Sequence, residues 1–459
     1  MTLSIPFDNS YATLPDRFYT RQGAAPVREP RLFAFNDALA RTLGLEGFDD
    51  PAELAEIFAG NTLPEGAAPL AQLYAGHQFG GFSPQLGDGR ALLLGEVATG
   101  TGRFDIQLKG SGPTPYSRMG DGRAWVGPVI REYLMSEAMA ALGVPTTRAL
   151  AAVTTGEPVL REDGPLPGAI LTRVAASHIR VGTFQVFAAR ADRDALQQLT
   201  DYTIARHFPR ADGPMGLLHA LMEVQADLVA HWMSIGFIHG VMNTDNMAIS
   251  GETIDYGPCA FMDAYHPNTV FSSIDRQGRY AYSNQPPIAH WNIAQFASAL
   301  VPIMGDEDKA VDDLTEAIKA FPPLYEAAWL RHFGAKFGLA EATPDDRPLI
   351  EEFLTHMAQE GLDFTNTFAA LPDVPAGLQD WARRWQARGP DMDLVARSNP
   401  RVIPRLHRIE AVIQSAVADD FAPFDEMLSV VTDPFAPADP LYTAPPAPEE
   451  RVSRTFCGT

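Results

Sequence analysis

Residues 239 to 257 of this 459-residue chain read His-Gly-Val-Met-Asn-Thr-Asp-Asn-Met-Ala-Ile-Ser-Gly-Glu-Thr-Ile-Asp-Tyr-Gly. An acid and an amide stand side by side, Asp245 and Asn246, and a second acid, Asp255, opens an Asp-Tyr-Gly turn. Mg2+ takes hard oxygen ligands, commonly one or two carboxylates together with the phosphates of a nucleotide. Asn246 and Asp255 supply such oxygens, which leaves Asp245 free to act as a base. The competing reading is a set of Asx-turns and helix caps, because Asp and Asn side chains readily bond nearby backbone. The flanking hydrophobics Phe237, Ile238, Met247, Ile249 and Ile254 predict two short strands around a loop, which favours the chemical reading.

Protein kinases hold their metal with a catalytic-loop Asn and the Asp of an Asp-Phe-Gly turn, and their loop opens His-Arg-Asp. Here the His opening is kept, but Val241 stands where the kinase base belongs. Kinases also orient a strand Lys with a helix Glu. Lys109 ends a predicted strand, and Glu132 lies in the predicted helix that follows. Glycine clusters surround Lys109: Gly80-Gly81, Gly87-Asp88-Gly89-Arg90, Gly110-Ser111-Gly112 and Gly120-Asp121-Gly122-Arg123. None fits the P-loop pattern. Glycine lets backbone N–H groups approach phosphate, and it also simply makes turns, so both readings stand. Arg173 and Arg180 are placed either to grip phosphate oxygens or to form surface ion pairs. The two cysteines, Cys259 and Cys457, are too few for a disulfide framework or a zinc site. They are either unrelated thiols or a pair, if the tail folds back. His77, His178 and His231 show no metal-ligand spacing and are read as structural.

The elements that must position these groups follow from hydrophobic periodicity. Residues 51–58 predict a helix with Asp50 as N-cap and Pro51 at its first position. Residues 90–97 predict a buried strand. In 103–109, Phe104, Ile106 and Leu108 face one way while Asp105, Gln107 and Lys109 form a polar face. Residues 127–142 predict an amphipathic helix with Ile130, Leu134, Ala138, Ala141 and Leu142 on its apolar side and Glu132 off it. Strands at 149–154 and 168–174 come next. From about 184 the chain turns helical. A long helix at 215–235 leads to His239, further helices are predicted at 293–304, 310–320, 349–360 and 378–387, and a Pro-rich tail follows at 433–448. This order predicts an α+β, protein-kinase-like bilobal fold. Its mixed α/β N-lobe, with an N-terminal extension and the phosphate contacts, spans 1–178. Its mainly helical C-lobe, with catalytic loop, metal site and cysteine tail, spans 179–459.

Hydrophobic residues make up 46% of the chain and charged residues 20%, enough apolar material for a large core. The 57 acids against 35 bases give a net charge of −22, which argues against nucleic-acid partners. No apolar run approaches the roughly 20 residues that span a bilayer, and residues 1–10 lack the pattern of a signal peptide. The expected protein is soluble and cytoplasmic, with no membrane partner.

Several long strings together resemble selenoprotein O, the YdiU-type pseudokinases. They are Tyr74-Ala-Gly-His-Gln-Phe-Gly-Gly-Phe82, Gln85-Leu-Gly-Asp-Gly-Arg90, Gln107-Leu-Lys-Gly-Ser-Gly-Pro-Thr-Pro-Tyr-Ser-Arg118, Gly120-Asp-Gly-Arg-Ala124, Arg131-Glu132, His239 to Asn246, Asp255-Tyr-Gly-Pro258, Asn399-Pro-Arg401 and a Cys third from the end. The resemblance implies ATP as substrate, bound flipped in a kinase-like cleft, and AMP transfer to Ser, Thr or Tyr hydroxyls of proteins. It also implies UMP transfer from UTP with Mn2+. Carried over by motif, Gly87, Gly89, Arg90, Lys109, Asp121, Gly122, Arg173, Arg180 and Asp255 meet the nucleotide. Glu132 orients Lys109, Asn246 and Asp255 bind Mg2+ or Mn2+, and Asp245 accepts the proton. Cys457 occupies the selenocysteine position, and a redox pair with Cys259 is implied. A thiol exchanges more slowly than a selenol, which weakens any such control. Two other functions stay open. A small-molecule or protein phosphotransferase shares the His-Gly opening but needs an Asp at Val241. A non-catalytic nucleotide-binding scaffold would not require Lys109, Asn246 and Asp255 together.

Overall fold

The strands of the first 175 residues are β1 (Tyr19–Arg21), β2 (Arg31–Phe35), β3 (Leu70–Gln72), β4 (Gly76–Gln78), β5 (Gly81–Ser83), β6 (Ala91–Thr99), β7 (Gly102–Lys109), β8 (Ala124–Trp125), β9 (Arg148–Arg161) and β10 (Gly164–Ala175). The computed structural model describes residues 3–162, 164–452 and 455. Eight strands form one antiparallel sheet in the order β1-β3-β6-β7-β10-β9-β2, with β8 added beside β10. β4 and β5 form a separate hairpin. The strands β9 and β10 run on beyond the predicted 149–154 and 168–174 into one long hairpin, with a register shift between Pro167 and Ala169.

Helices α1 (Asp37–Thr42) and α2 (Pro51–Phe58) cover one face of the sheet. The Asp50 carboxylate caps α2 by accepting from the Ala52 N–H at 2.9 Å, with proline at the first turn as expected. On this face Ile106 and Leu108 of β7 pack with Leu54 and Phe58 in one core cluster. Helix α3 (Val126–Ala141) crosses the opposite face.

The rest of the chain is helical: α4 (Val181–Ala189), α5 (Arg193–His207), α6 (Gly213–Ser234), α7 (Gln285–Leu300), α8 (Glu307–Ala317), α9 (Phe321–Lys336), α10 (Arg347–Glu360), α11 (Phe364–Ala369), α12 (Gln379–Ala387), α13 (Met392–Ser398), α14 (Leu406–Val417) and α15 (Ala422–Val431). α14 and α15 pack on α3, so α3 is enclosed between sheet and helices. It is therefore not amphipathic in the expected sense: Glu132, Ser136 and Glu137 are buried together with its apolar side chains. One core runs from α3 through α6 and α7 to α14. Architecture is thus mixed α+β, with strands in the first part and helices in the second. Among the described residues no helix is long and apolar enough to cross a membrane.

Two strands frame the loop after α6, but not the two expected. β11 (Phe237–Ile238) pairs with β12 (Ala260–Phe261), which lies beyond the Asp-Tyr-Gly turn. Residues 247–254 form no strand with it. Their backbone instead bonds to the entry of α4 and the start of β9: the Ile249 N–H donates to the Ile179 carbonyl, Val181 N–H to Met247, and Thr147 N–H to Thr253. The loop is therefore stitched to the sheet-bearing part of the chain on both sides.

Candidate active site

A cleft of about 1120 Å3 opens between the ends of β6, β7 and β10, the glycine-rich segments, and the loop from Val241 to Pro258. Gly87, Gly89, Arg90, Lys109, Asp121, Gly122, Arg173, Arg180, Asp245, Asn246 and Asp255 all line it. Glu132 lies beneath the floor.

Lys109 stands on the last residue of β7, and Arg173 lies on the neighbouring strand, where it pairs with Gln107. Lys109 Nζ donates to Glu132 Oε2 at 2.5 Å and to Asp255 Oδ1 at 3.1 Å. Arg173 donates through Nε and Nη2 to Glu132 Oε1, at 2.9 and 2.6 Å, and through Nη2 to Asp255 Oδ1 at 2.6 Å. Arg180 Nη1 reaches Asp255 Oδ2 at 3.1 Å and the Asp245 carbonyl at 2.9 Å, with its guanidinium 4.6 Å above the Tyr74 ring. Three cations thus meet two carboxylates, with Arg173 almost fully buried. The surface ion-pair reading of the arginines does not hold.

Burial alone would raise the Asp255 carboxyl, but Arg173, Lys109 and Arg180 hold it well below the usual carboxylate range. Burial also opposes ionisation of Glu132, and Arg173 and Lys109 pull it down. Burial and the adjacent Arg173 lower the Lys109 ammonium. Asp255 itself sits at φ +63°, a left-handed conformation that a non-glycine residue adopts at a cost.

Asp245 differs in kind. Burial pushes its carboxyl up to about 6. Gln78 Nε2 donates to its Oδ2 at 3.1 Å, while its Oδ1 is buried with no partner among the described residues. Asn246 Nδ2 donates to the Val241 carbonyl at 2.9 Å, which turns the amide oxygen away from that bond. The His239 ring spans the loop: Nε2 donates to the Ile254 carbonyl at 2.9 Å, and Nδ1 accepts from the Val241 N–H. That pattern requires a neutral ring, in keeping with burial lowering its pKa.

Glycine is needed at two points of the wall. Gly87 has φ +85°, and a Cβ there would lie 2.5 Å from the Tyr116 ring. Gly122 has φ +66°, and a Cβ there would strike the Gly112 carbonyl at 2.2 Å. Asp121 is exposed at the rim and accepts from Arg161 at 2.8 Å. Three polar groups of the cleft carried no role in the sequence reading. Asp88 is buried, pushed up to about 6, and accepts from the Gln72 N–H and from Gln107. Gln78 binds Asp245, and Asn243 accepts from Tyr280. All three stood inside the recognised strings, which gave them no role of their own. Cys259 is buried just beyond Pro258, and Cys457 lies outside the described residues.

Among the described residues no three His, Cys, Asp or Glu side chains gather as a metal cage. The Asn246 amide oxygen and the ionised Asp255 carboxylate are hard donors lining one cleft, and they suit a hard divalent ion whose other ligands are phosphates and water. A polyanionic donor matches the clustered cations, and an unpartnered buried carboxylate oxygen matches an incoming proton. Cleft and side chains together fit a group-transfer enzyme.

The comparisons agree. The family model for the protein adenylyltransferase SelO matches residues 1–387. The protein nucleotidyltransferase YdiU of Roseobacter denitrificans is 62% identical over 473 residues, covering 100% of both chains. Those of Ruegeria sp. and Rhodopseudomonas palustris are 60% and 56% identical, again with 100% of each chain covered. The chain belongs to the SelO family of protein adenylyltransferases. It is an enzyme, a protein nucleotidyltransferase.

Proposed function

We propose that the cleft transfers AMP from ATP to Ser, Thr or Tyr hydroxyls of other proteins, within a kinase-like bilobal arrangement whose lobes meet near residue 178. The acceptor hydroxyl oxygen forms a bond to the α-phosphorus, the bond from that phosphorus to the bridging oxygen breaks, and pyrophosphate leaves with the electron pair. The acceptor proton passes to Asp245 Oδ1. Transfer at phosphorus depends mainly on positioning and charge neutralisation. Lys109, Arg173 and Arg180 neutralise the phosphates, Glu132 fixes Lys109 and Arg173, and Gly87, Gly89, Arg90, Asp121 and Gly122 hold the remainder of the nucleotide. Asn246 and Asp255 would hold Mg2+ or Mn2+, which supplies charge neutralisation at the phosphate oxygens. UTP with Mn2+ is a second donor to test in the same cleft.

The observation that carries this reading is the pairing of opposites in one cavity: a carboxylate kept anionic by three cations, and a second carboxylate, made more basic by burial, with an oxygen left without a partner. Val241 lines the cleft where a phosphotransferase would carry its base, which favours Asp245 in that role. Asp255→Ala is expected to abolish both metal-dependent ATP binding, measured by calorimetry, and transfer of label from α-labelled ATP. Activity unchanged by that substitution would sink the site assignment.

A further inference from the structure

The hairpin β4–β5 closes with two loop residues, Phe79 and Gly80, between the paired Gln78 and Gly81. Both have positive φ, +52° and +86°. This is the turn that Asn-Gly, Asp-Gly or Gly-Gly makes without strain. A bulky aromatic residue in the left-handed region is a true outlier. The hairpin core does not require it, since the residue is 37% exposed and its ring meets that of Tyr280 edge-on at 5.2 Å. The strain is nevertheless held rigidly: the Phe79 N–H donates to Asn243 Oδ1 at 3.1 Å and the His77 N–H to Thr244 Oγ1 at 2.7 Å. The hairpin is thus locked to the segment that carries Asp245, and it presents Phe79 at the mouth of the cleft. Strain kept in place by its surroundings points to use at that position.

A second exposed side chain of the same cleft, Ile274, is 60% exposed and lies on the loop after the Asp-Tyr-Gly turn. Beside the hairpin tip, close to Gly80, stands the Arg279 guanidinium, stacked 4.8 Å over Trp291. It has no carboxylate partner among the described residues, in a chain with 22 more acids than bases. Exposed apolar groups concentrated at a polar cleft mark an interaction site.

We infer that Phe79 and Ile274 form the docking platform for the acceptor protein, taking a bulky apolar side chain next to the modified hydroxyl residue, with Arg279 facing an acidic residue of the same segment. This rests on the AMP-transfer reading. Exposed apolar side chains also stand on the glycine-rich side of the cleft, Met119 and Leu160, but only Phe79 is tied to the loop of Asn243 and Asp245, where the acceptor hydroxyl must arrive.

The test uses Phe79→Asn, the residue the turn itself prefers, with Ile274→Ser as a second variant. The probes are synthetic peptides with a central Thr, flanked by Leu and Glu or by Gly alone, together with α-labelled ATP. The wild type should label Leu/Glu-flanked peptides at least about tenfold faster than Gly-flanked ones, and both variants should lose that preference. Phe79→Asn should melt at the same temperature or higher, with ATP affinity unchanged. A wild type that labels proteins but not the peptides, or labels all peptides equally, overturns the platform and leaves AMP transfer standing. So does a variant that keeps the preference, or a Phe79→Asn protein that melts lower. A wild type that transfers α-label to nothing, itself included, removes the underlying reading and the platform with it.

Discussion

Gly76→Ala should disable transfer while leaving the fold and the nucleotide site in place. Gly76 begins β4, where an added Cβ would lie 2.6 Å from Asp245 Oδ1, 2.9 Å from its Cβ and 3.0 Å from its Cγ. Its φ is not in the left-handed region, so alanine is tolerated by the backbone and the whole effect falls on Asp245. Ordinary contact begins near 3.4 Å, so the carboxylate must retreat by about 0.8 Å or rotate, and the bond from Gln78 Nε2 is lost with it. A misplacement near 1 Å costs on the order of 100-fold in rate, so a loss of about 30- to 100-fold is expected. The assay is the initial rate of α-label incorporation into protein at saturating ATP, alongside ATP affinity by calorimetry. Affinity should be unchanged, because Asp245 takes no part in holding phosphates. Gly81→Ala is the matched control in the same hairpin, where the added Cβ would meet only the Gln78 carbonyl at 3.6 Å. Equal rates for the two variants would refute the role given to Asp245. So would a parallel loss of ATP binding in Gly76→Ala.

Two stability predictions concern buried charges away from the cleft. Arg206 donates to Glu96 at 3.0 Å and to Asp105 at 2.6 Å, all three side chains being buried; burial would raise Asp105, yet Arg206 and His178 hold it down to about 2. Arg206→Met strands two buried carboxylates and should cost about 3 to 5 kcal/mol in denaturant unfolding, with less than about 1 kcal/mol contradicting the account. Lys336 is buried with its ammonium 4.2 Å above the Phe368 ring, and burial pushes its pKa down to about 7. Between about pH 7 and 10 the unfolded chain holds a proton that the folded one does not, so this lysine makes the protein more stable as pH rises. The melting temperature of Lys336→Met should exceed that of the wild type most at pH 6.5 and the gap should narrow by pH 9; a gap independent of pH would contradict this.

Local pattern was sufficient where an element is decided by its own residues. The Asp50 cap with Pro51 placed α2, and the alternation in 103–109 placed β7 with Lys109 at its end. Tertiary partners decided the rest. The polar face of β7 was legible and so was the Lys109–Glu132 pair, but Asp105 and Gln107 are enclosed by Arg206 and Arg173, which stand far off in the chain. α9 is not among the predicted helices; its first turn holds Pro322 and Pro323, and proline is well tolerated in a first helical turn. The hairpin β4–β5 carries no alternation at all, and it exists because Asn243 and Thr244 accept its backbone N–H groups. For that reason Gln78 could not be assigned to Asp245 from the sequence. The cleft residues themselves were legible because their chemistry is unusual for their spacing: an acid, an amide and a second acid after a long buried helix.

The most direct test of the central claim compares ATP labelled on the α-phosphate with ATP labelled on the γ-phosphate, with Mg2+ or Mn2+, following label into protein. Incorporation from the α-label alone, absent in Asp245→Asn, is the result expected of AMP transfer with Asp245 as base. Incorporation from the γ-label alone would make this cleft a phosphotransferase and contradict the mechanism.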